Sequence, residues 1–198
     1  MNHETIFYLA RHGQTEWNVE QRIQGQLDSP LTAEGIDQAK SLAEQCIDLN
    51  ISTILTSPLG RAVETATICA ERLGLTPHLI AGFEERHFGV WQGLLVSEVK
   101  QHKDYTEIAS QITDCKPQSG ESAKQALQRF ENTLSKTLQQ SNQKVSLIVI
   151  HGELLRCFLA EFIASSTQGI SNTSGYDYPN GQLIPLRYDQ RSGTYSYL

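Results

Sequence analysis

The chain has 198 residues, 39% of them hydrophobic and 19% charged, with a formal net charge of -6. That length fits one domain with a full core, and the composition is that of a globular protein rather than a disordered or fibrous one. The acidic balance argues against a general nucleic-acid binder, so an anionic ligand would need a local cluster of Arg, His and backbone N–H groups.

Residues 5–10 are β-branched, aromatic and apolar between charged flanks, which predicts a short buried strand with Arg11 and His12 at its carboxyl end. A helix is expected after Leu31, with Thr32 as N-cap, Glu34 in the first turn, and Ile36, Ala39, Ala43 and Ile47 on one face. Residues 52–56 read as a second strand. Ser57 then reads as the N-cap and Pro58 as the first residue of a helix with Ala62, Ala66, Cys69 and Leu73 inward and Gly74 at its end. A third strand is expected near 77–80. A helix over about 121–140 follows, with Ala126, Leu127, Phe130, Leu134 and Leu138 as its apolar stripe. Residues 145–150 are the clearest buried strand, and they lead through His151 and Gly152 into an apolar helix over 154–163. Two strands near 183–188 and 194–198 close the chain. Strands alternating with helices indicate an α/β fold with a mainly parallel sheet, whose ligand site lies at the carboxyl ends of the strands.

The four cysteines, Cys46, Cys69, Cys115 and Cys157, are scattered without a C-x-x-C pair, as expected of reduced, structural thiols. The apolar run at 6–10 is too short for a signal core or a membrane span and has no basic flank, and no later stretch approaches spanning length. The expectation is a cytoplasmic protein with no membrane partner.

Two of the six histidines stand apart, because His12 and His151 each follow an apolar strand and precede a glycine. A glycine there lets the backbone turn tightly against a ligand. Arg61, in the first turn of its helix, would point back toward a helix N-terminus that already favours anions. The fold reading brings all three to one sheet edge. A metal site is the alternative for paired histidines, but there is no H-E-x-x-H or Cys/His cluster and the neighbouring arginines repel a cation. A guanidinium fork suits a phosphoryl group.

Taken together, the motifs resemble those of the phosphoglycerate mutase-like histidine phosphatase superfamily over most of the chain. Arg11 to Asn18 matches R-H-G-E-S/T-x-x-N, with Gln14 where the family usually has Glu. Arg22 to Gly25 followed by Leu31 to Gly35 matches R-x-x-G and L-T-x-x-G. Ser57 to Arg61 with Thr65 and Ala66 matches S-P-L-x-R-x-x-x-T-A, and Glu85 to Gly93 matches E-x-x-F/Y-G-x-W-x-G. Gly120 to Ser122 and the residues before Gly152 match the later G-E-S and V-x-H-G elements. The resemblance implies a single domain over 1–198, a three-layer α/β/α sandwich, with segments of about 84–120 and 165–180 as loops or lids over the site. It implies a phosphohistidine intermediate on His12, Glu85 as general acid and base, and a phosphate site formed by Arg11, Thr15, Asn18, Gln24, Gly25, Arg61, His151 and Gly152. No metal or other cofactor is implied. Arg86 reads either as a ligand for a substrate carboxylate or as a solvated charge, and Asn180 resembles a position near the site. The stretch from Ser165 to Gly175 reads as a cover for the site or as a surface loop.

Departures from the family pattern favour hydrolysis over mutase chemistry. Cofactor-dependent mutases carry Tyr and Lys where this chain has Phe88 and Val96, and they have a basic insertion with adjacent arginines. Here the segment between Gln101 and Gln118 holds Lys103 and Lys116 but no arginine. The substrate expected is a small phosphorylated metabolite, with sugar phosphates, phosphoserine, phosphoglycerate and α-ribazole phosphate as candidates. A phosphoglycerate mutase and a non-catalytic phosphate binder are the competing readings. Whether the chain is a monomer or a homodimer is left open.

Overall fold

The computed structural model describes residues 3–141, 145–165 and 178–198. In chain order the elements are β1 (Glu4–Arg11), α1 (Glu16–Val19), α2 (Ala33–Gln45), β2 (Thr53–Thr56), α3 (Gly60–Leu73), β3 (Pro77–Leu79), α4 (Val96–Val99), α5 (Tyr105–Ser110), α6 (Ala123–Gln140), β4 (Ser146–Ile150), α7 (Gly152–Ser165), β5 (Leu183–Asp189) and β6 (Thr194–Tyr197). The strands form a six-stranded sheet in the order β3-β2-β4-β1-β5-β6. The first four in that order run parallel, and β5 and β6 add an antiparallel edge. The architecture is the α/β sandwich expected.

Alternation along the central strands builds two cores, one on each face of the sheet. Phe7, Leu9, Leu55, Ile148 and Ile150 pack with α6 and α7, including Phe130, Leu134 and Phe158. Ala10, Ile54, Leu147 and Val149 face the other way onto α2 and α3, against Leu42, Ala62, Ala66 and Cys69. The stripe expected on α6 is buried throughout. On α2 the inward face is Gly35, Ala39, Leu42 and Ala43 rather than the line through Ile36 and Ile47. Helix α2 stops at Gln45, a short 3-10 turn follows, and Ile47 is left exposed.

Helix α3 departs from expectation at its start. Leu59, not Ser57, is the N-cap residue, it makes no side-chain capping bond, and Pro58 lies outside the helix. Asp28 supplies the cap from another part of the chain, accepting from the Gly60 N–H at 2.5 Å and the Arg61 N–H at 3.3 Å. The 84–120 segment is not simply a loop, since it contains a 3-10 turn, α4 and α5 around a small core of Trp91, Val99 and Ile108. Most of the 165–180 segment lies outside the described residues.

Register places the site. Arg11 pairs with Ile150 and Thr56 with Val149. The His12 N–H then donates to the Ile150 carbonyl at 3.0 Å, and the Ser57 N–H to Val149 at 3.1 Å. His12, Ser57 and His151, each directly after its strand, therefore meet at one edge. The turn after β1 lies against the first turn of α2, so closely that a Cβ on Gly35 would sit 2.0 Å from the Gln14 carbonyl oxygen, and one on Gly13 2.3 Å from that of Gly35. Gly35→Ala is therefore expected to cost about 1–3 kcal/mol as overpacking against backbone. Chemical denaturation checks this, and an unchanged midpoint would contradict the contact.

Candidate active site

The end of β1 is held from several sides. Asn180 donates its side-chain N–H to the His12 carbonyl at 2.7 Å, and the Gly181 N–H donates to Arg11 at 3.0 Å. Thr65 on α3 accepts the Gly13 N–H at 3.0 Å and donates to the Arg61 carbonyl at 2.8 Å. With its backbone fixed, the His12 ring is set by its Nδ1, 2.8 Å from the Gly13 carbonyl. A carbonyl can only accept, so Nδ1 carries the proton and Nε2 keeps its lone pair. Arg61 Nε lies 3.2 Å from that Nε2. Burial first, then Arg61 and Arg11, hold His12 well below the usual imidazole range, against the Gly13 bond. The ring is neutral at pH 7.

Arg61 is buried and anchored at the far side of its fork. It donates to the carbonyls of Leu27 at 2.8 Å and Gly25 at 2.7 Å, and to Asp28 at 2.9 Å. Asp28 thus fixes both the start of α3 and the arginine in its first turn. Gly25, at φ +56, and Gln24 belong to the same loop, and Gln24 donates to Thr15 Oγ at 2.8 Å. Thr15 and Asn18 close a capping box at α1, which secures the loop from below.

His151 is fully buried, its ring centroid 5.2 Å from that of His12. Its Nε2 lies 2.7 Å from Ser57 Oγ, which also accepts the Leu59 N–H at 3.3 Å. His151 Nδ1 has no partner among the described residues. If the Ser57 hydroxyl donates to Nε2, Nδ1 carries a proton available to an anion. Burial, then Arg61, His12, Arg11 and Arg129, keep this ring too well below the usual range.

Glu85 lines the same cavity. It caps α7, accepting from the N–H groups of Glu153 at 3.0 Å and Leu154 at 3.2 Å, and from Arg86 at 2.9 Å. Those bonds and Arg61 favour the carboxylate. Burial and the neighbouring Glu153 outweigh them and raise Glu85 above the usual carboxylate range.

These groups surround one cavity of about 240 Å³. Of the residues expected from sequence, Arg11, His12, Asn18, Gln24, Gly25, Arg61, Glu85 and Gly152 line it. Thr15 and His151 are fully buried beside it. Gly152 leaves room for Arg11, whose Nε would sit 3.0 Å from an added Cβ. Arg86 is a correction: it is fully buried, neither solvated nor facing the cavity. Its guanidinium donates to Glu121, Ile108 and Cys115 carbonyls and to Glu153, and lies over the Phe88 ring. Sequence reasoning missed Arg22, Ile23, Phe88, Glu153, Arg156 and Tyr178 in the lining. Arg156 lies one turn along α7 from Gly152, so the spacing logic applied to Arg61 could have found it. Asp28 and Ser57 were missed as anchors because their partners are distant in the chain.

Chemically the cavity offers an unprotonated imidazole nitrogen, two guanidinium groups beside it, and a carboxyl group whose environment favours retaining its proton. A tetrahedral anion with an attached alcohol matches that arrangement.

The profile of the histidine phosphatase superfamily (branch 1) matches residues 7–197. A probable phosphoglycerate mutase GpmB of Klebsiella pneumoniae is 35% identical over 158 residues, covering 79% of this chain and 74% of that protein. Among solved structures, Bacillus stearothermophilus YhfR superposes with a TM-score of 0.86 at 29% identity, covering 98% of this chain and 95% of that one. The mycobacterial glucosyl-3-phosphoglycerate phosphatase Rv2419c, complexed with VO3, superposes with a TM-score of 0.81 at 26% identity, covering 100% and 98%.

The depressed histidines have a consequence for stability. Because their folded pKa values lie below the unfolded one, the unfolded chain binds more protons below about pH 6.5, and stability falls as pH drops through that value. Each histidine contributes up to about 1.4 kcal/mol per pH unit. Glu85, raised on folding, acts in the opposite sense, one group against two. Ring NMR signals of His12 and His151 are expected to show no titration on lowering the pH through 6.5, with thermal stability declining over the same interval. A His12 midpoint at or above 6.5 would contradict the buried, cation-flanked site.

Proposed function

The chain belongs to the histidine phosphatase superfamily, branch 1, and from that premise we propose that it is a cytoplasmic phosphomonoesterase acting on a small metabolite through a phosphohistidine on His12. The observation that carries the reading is the unprotonated Nε2 of His12, accepting from Arg61 Nε, in the same cavity as a Glu85 raised toward its protonated form. The four cysteines, all free, support a reducing compartment.

In the first step His12 Nε2 attacks phosphorus and the bond to the ester oxygen breaks. Glu85 gives its proton to the departing alkoxide. Arg11, Arg61, Asn18, Gln24 and the Nδ1–H of His151 donate to the phosphoryl oxygens as charge builds on them, and Thr15 and Gly25 hold the loop that carries Gln24. In the second step the Glu85 carboxylate takes a proton from water as that water attacks phosphorus. The N–P bond breaks, phosphate leaves, and His12 and Glu85 return to their starting states. Every proton is accounted for by groups in the cavity.

Mutase chemistry is the second reading, favoured by the name of the Klebsiella relative. It requires a second anionic grip, and Phe88 and Val96 stand where mutases carry Tyr and Lys. Isomerisation of phosphoglycerate dependent on a bisphosphoglycerate primer would establish it. On a phosphoester panel, His12→Ala is expected to lower kcat at least about 10⁴-fold, and Glu85→Gln about 10²- to 10⁴-fold. EDTA is expected to leave the rate unchanged. The kcat/KM of the wild-type protein should fall as pH rises through the Glu85 pKa, since the neutral acid is the reactive form, and Glu85→Gln should lose that limb. Full activity in His12→Ala would end the proposal.

A further inference from the structure

Besides the residues assigned to the phosphoryl group, Arg22, Ile23, Phe88, Glu153, Arg156 and Tyr178 line the cavity, and they are the wall available to a leaving group. Resting on the phosphatase reading above, we infer that this wall selects phosphate esters of uncharged, hydroxyl-bearing alcohols and discriminates against leaving groups with a carboxylate or second phosphate.

Each guanidinium in the wall is already engaged by a carboxylate, and Arg156 shares Glu153 with the buried Arg86. Arg156 grips Glu153 with two bonds, Nε at 2.8 Å and a terminal nitrogen at 2.7 Å. Arg22 donates to Glu20 at 2.9 Å and to the Gly93 carbonyl at 2.5 Å. Arg86 adds a third charge behind Glu153, at 3.0 Å, but it is fully buried and its donors are engaged by backbone carbonyls. At the surface of the cavity, then, an anionic leaving group would meet the Glu153 carboxylate and guanidinium groups whose donors are already engaged by Glu153, Glu20 and the Gly93 carbonyl. It would gain little attraction while losing its own hydration.

Among the described residues, the other cations lining the cavity are Arg11 and Arg61, which the phosphatase reading assigns to the phosphoryl group. No lysine lines the cavity among the described residues; Lys116 opens onto a separate one with His87 and Glu121. Residues 166–177 contain no Lys, Arg or His and one acidic residue, Asp177, so wherever they lie they add no positive charge. A hydroxylated alcohol fits better: Glu153 oxygens accept from hydroxyl groups, remaining arginine N–H groups donate to them, and Ile23 and Phe88 cover the carbon skeleton.

A matched pair tests this, because glycerol 3-phosphate and 3-phosphoglycerate share a three-carbon skeleton and differ in the charge of the leaving group. Calorimetry on His12→Ala, which cannot turn them over by the proposed route, measures binding alone. Wild-type kcat/KM measures turnover. The expected preference for glycerol 3-phosphate is about tenfold or more in both, equivalent to about 1.4 kcal/mol. Glu153→Gln frees Arg156 and should reduce the preference to about threefold or less; a ratio within one variant does not depend on how much of it folds. Equal or reversed preference, or failure of His12→Ala to bind either compound, would overturn the inference. An unchanged preference in Glu153→Gln would overturn its assignment to the Glu153–Arg156 pair. Selective binding without wild-type turnover would instead sink the phosphatase reading and leave the charge selection standing.

Discussion

The contact between His12 Nδ1 and the Gly13 carbonyl governs the rest of the site, because it decides which ring nitrogen is bare. A histidine beside two arginines would be useless as a nucleophile if its proton sat on Nε2. Holding Nδ1 against the carbonyl of the next residue requires a tight turn directly after β1. That turn is possible because Gly13 and Gly35 pass one another at a distance no Cβ permits, and because Thr65, Asn180 and Gly181 fix the surrounding backbone. Helix α2, helix α3 and the turn before β5 therefore all converge on one imidazole.

The electrostatics follow from the same placement. Burying Arg61 next to two neutral imidazoles would be costly if its fork were unsatisfied. Asp28 and two carbonyls hold one side of it, while its Nε remains directed at His12. In the same cavity Glu85 accepts from helix N-terminal N–H groups that would ordinarily favour a carboxylate. Deep burial and Glu153 reverse that preference. The cavity consequently joins a base that stays unprotonated to an acid that resists ionisation, the pairing a phosphoryl transfer through histidine demands.

Much of this was legible in the sequence because the key residues sit at strand ends. Continuous β-branched and apolar runs located β1 and β4, and the residues directly after them are His12 and His151. Arg61 was legible from its place in a first helical turn after Ser57 and Pro58. Motif resemblance added Glu85, which lies outside any strand and has no periodic signal. Supporting contacts across the chain were not legible: Asp28 caps α3 from the far side of α2 and β2 in the sequence, and Ser57, read as a cap, instead faces His151. Arg86 shows the same limit. Its letter suggested either solvent or substrate, and only the packing of α5, Glu121 and Glu153 around it reveals a fully buried structural cation. The wall formed by Arg22, Phe88 and Arg156 was invisible for a related reason, since it depends on where three separate segments come to rest.

The central claim is that His12 becomes covalently phosphorylated. An aryl phosphate with a good leaving group needs little help from Glu85 in the first step, whereas hydrolysis of the intermediate still needs that carboxylate. Glu85→Gln protein mixed with p-nitrophenyl phosphate and quenched rapidly in alkali is thus expected to release one equivalent of nitrophenol in a burst. Peptide mass spectrometry should find an acid-labile phosphate on His12. A burst without label on His12, or label on a different residue, would contradict the account.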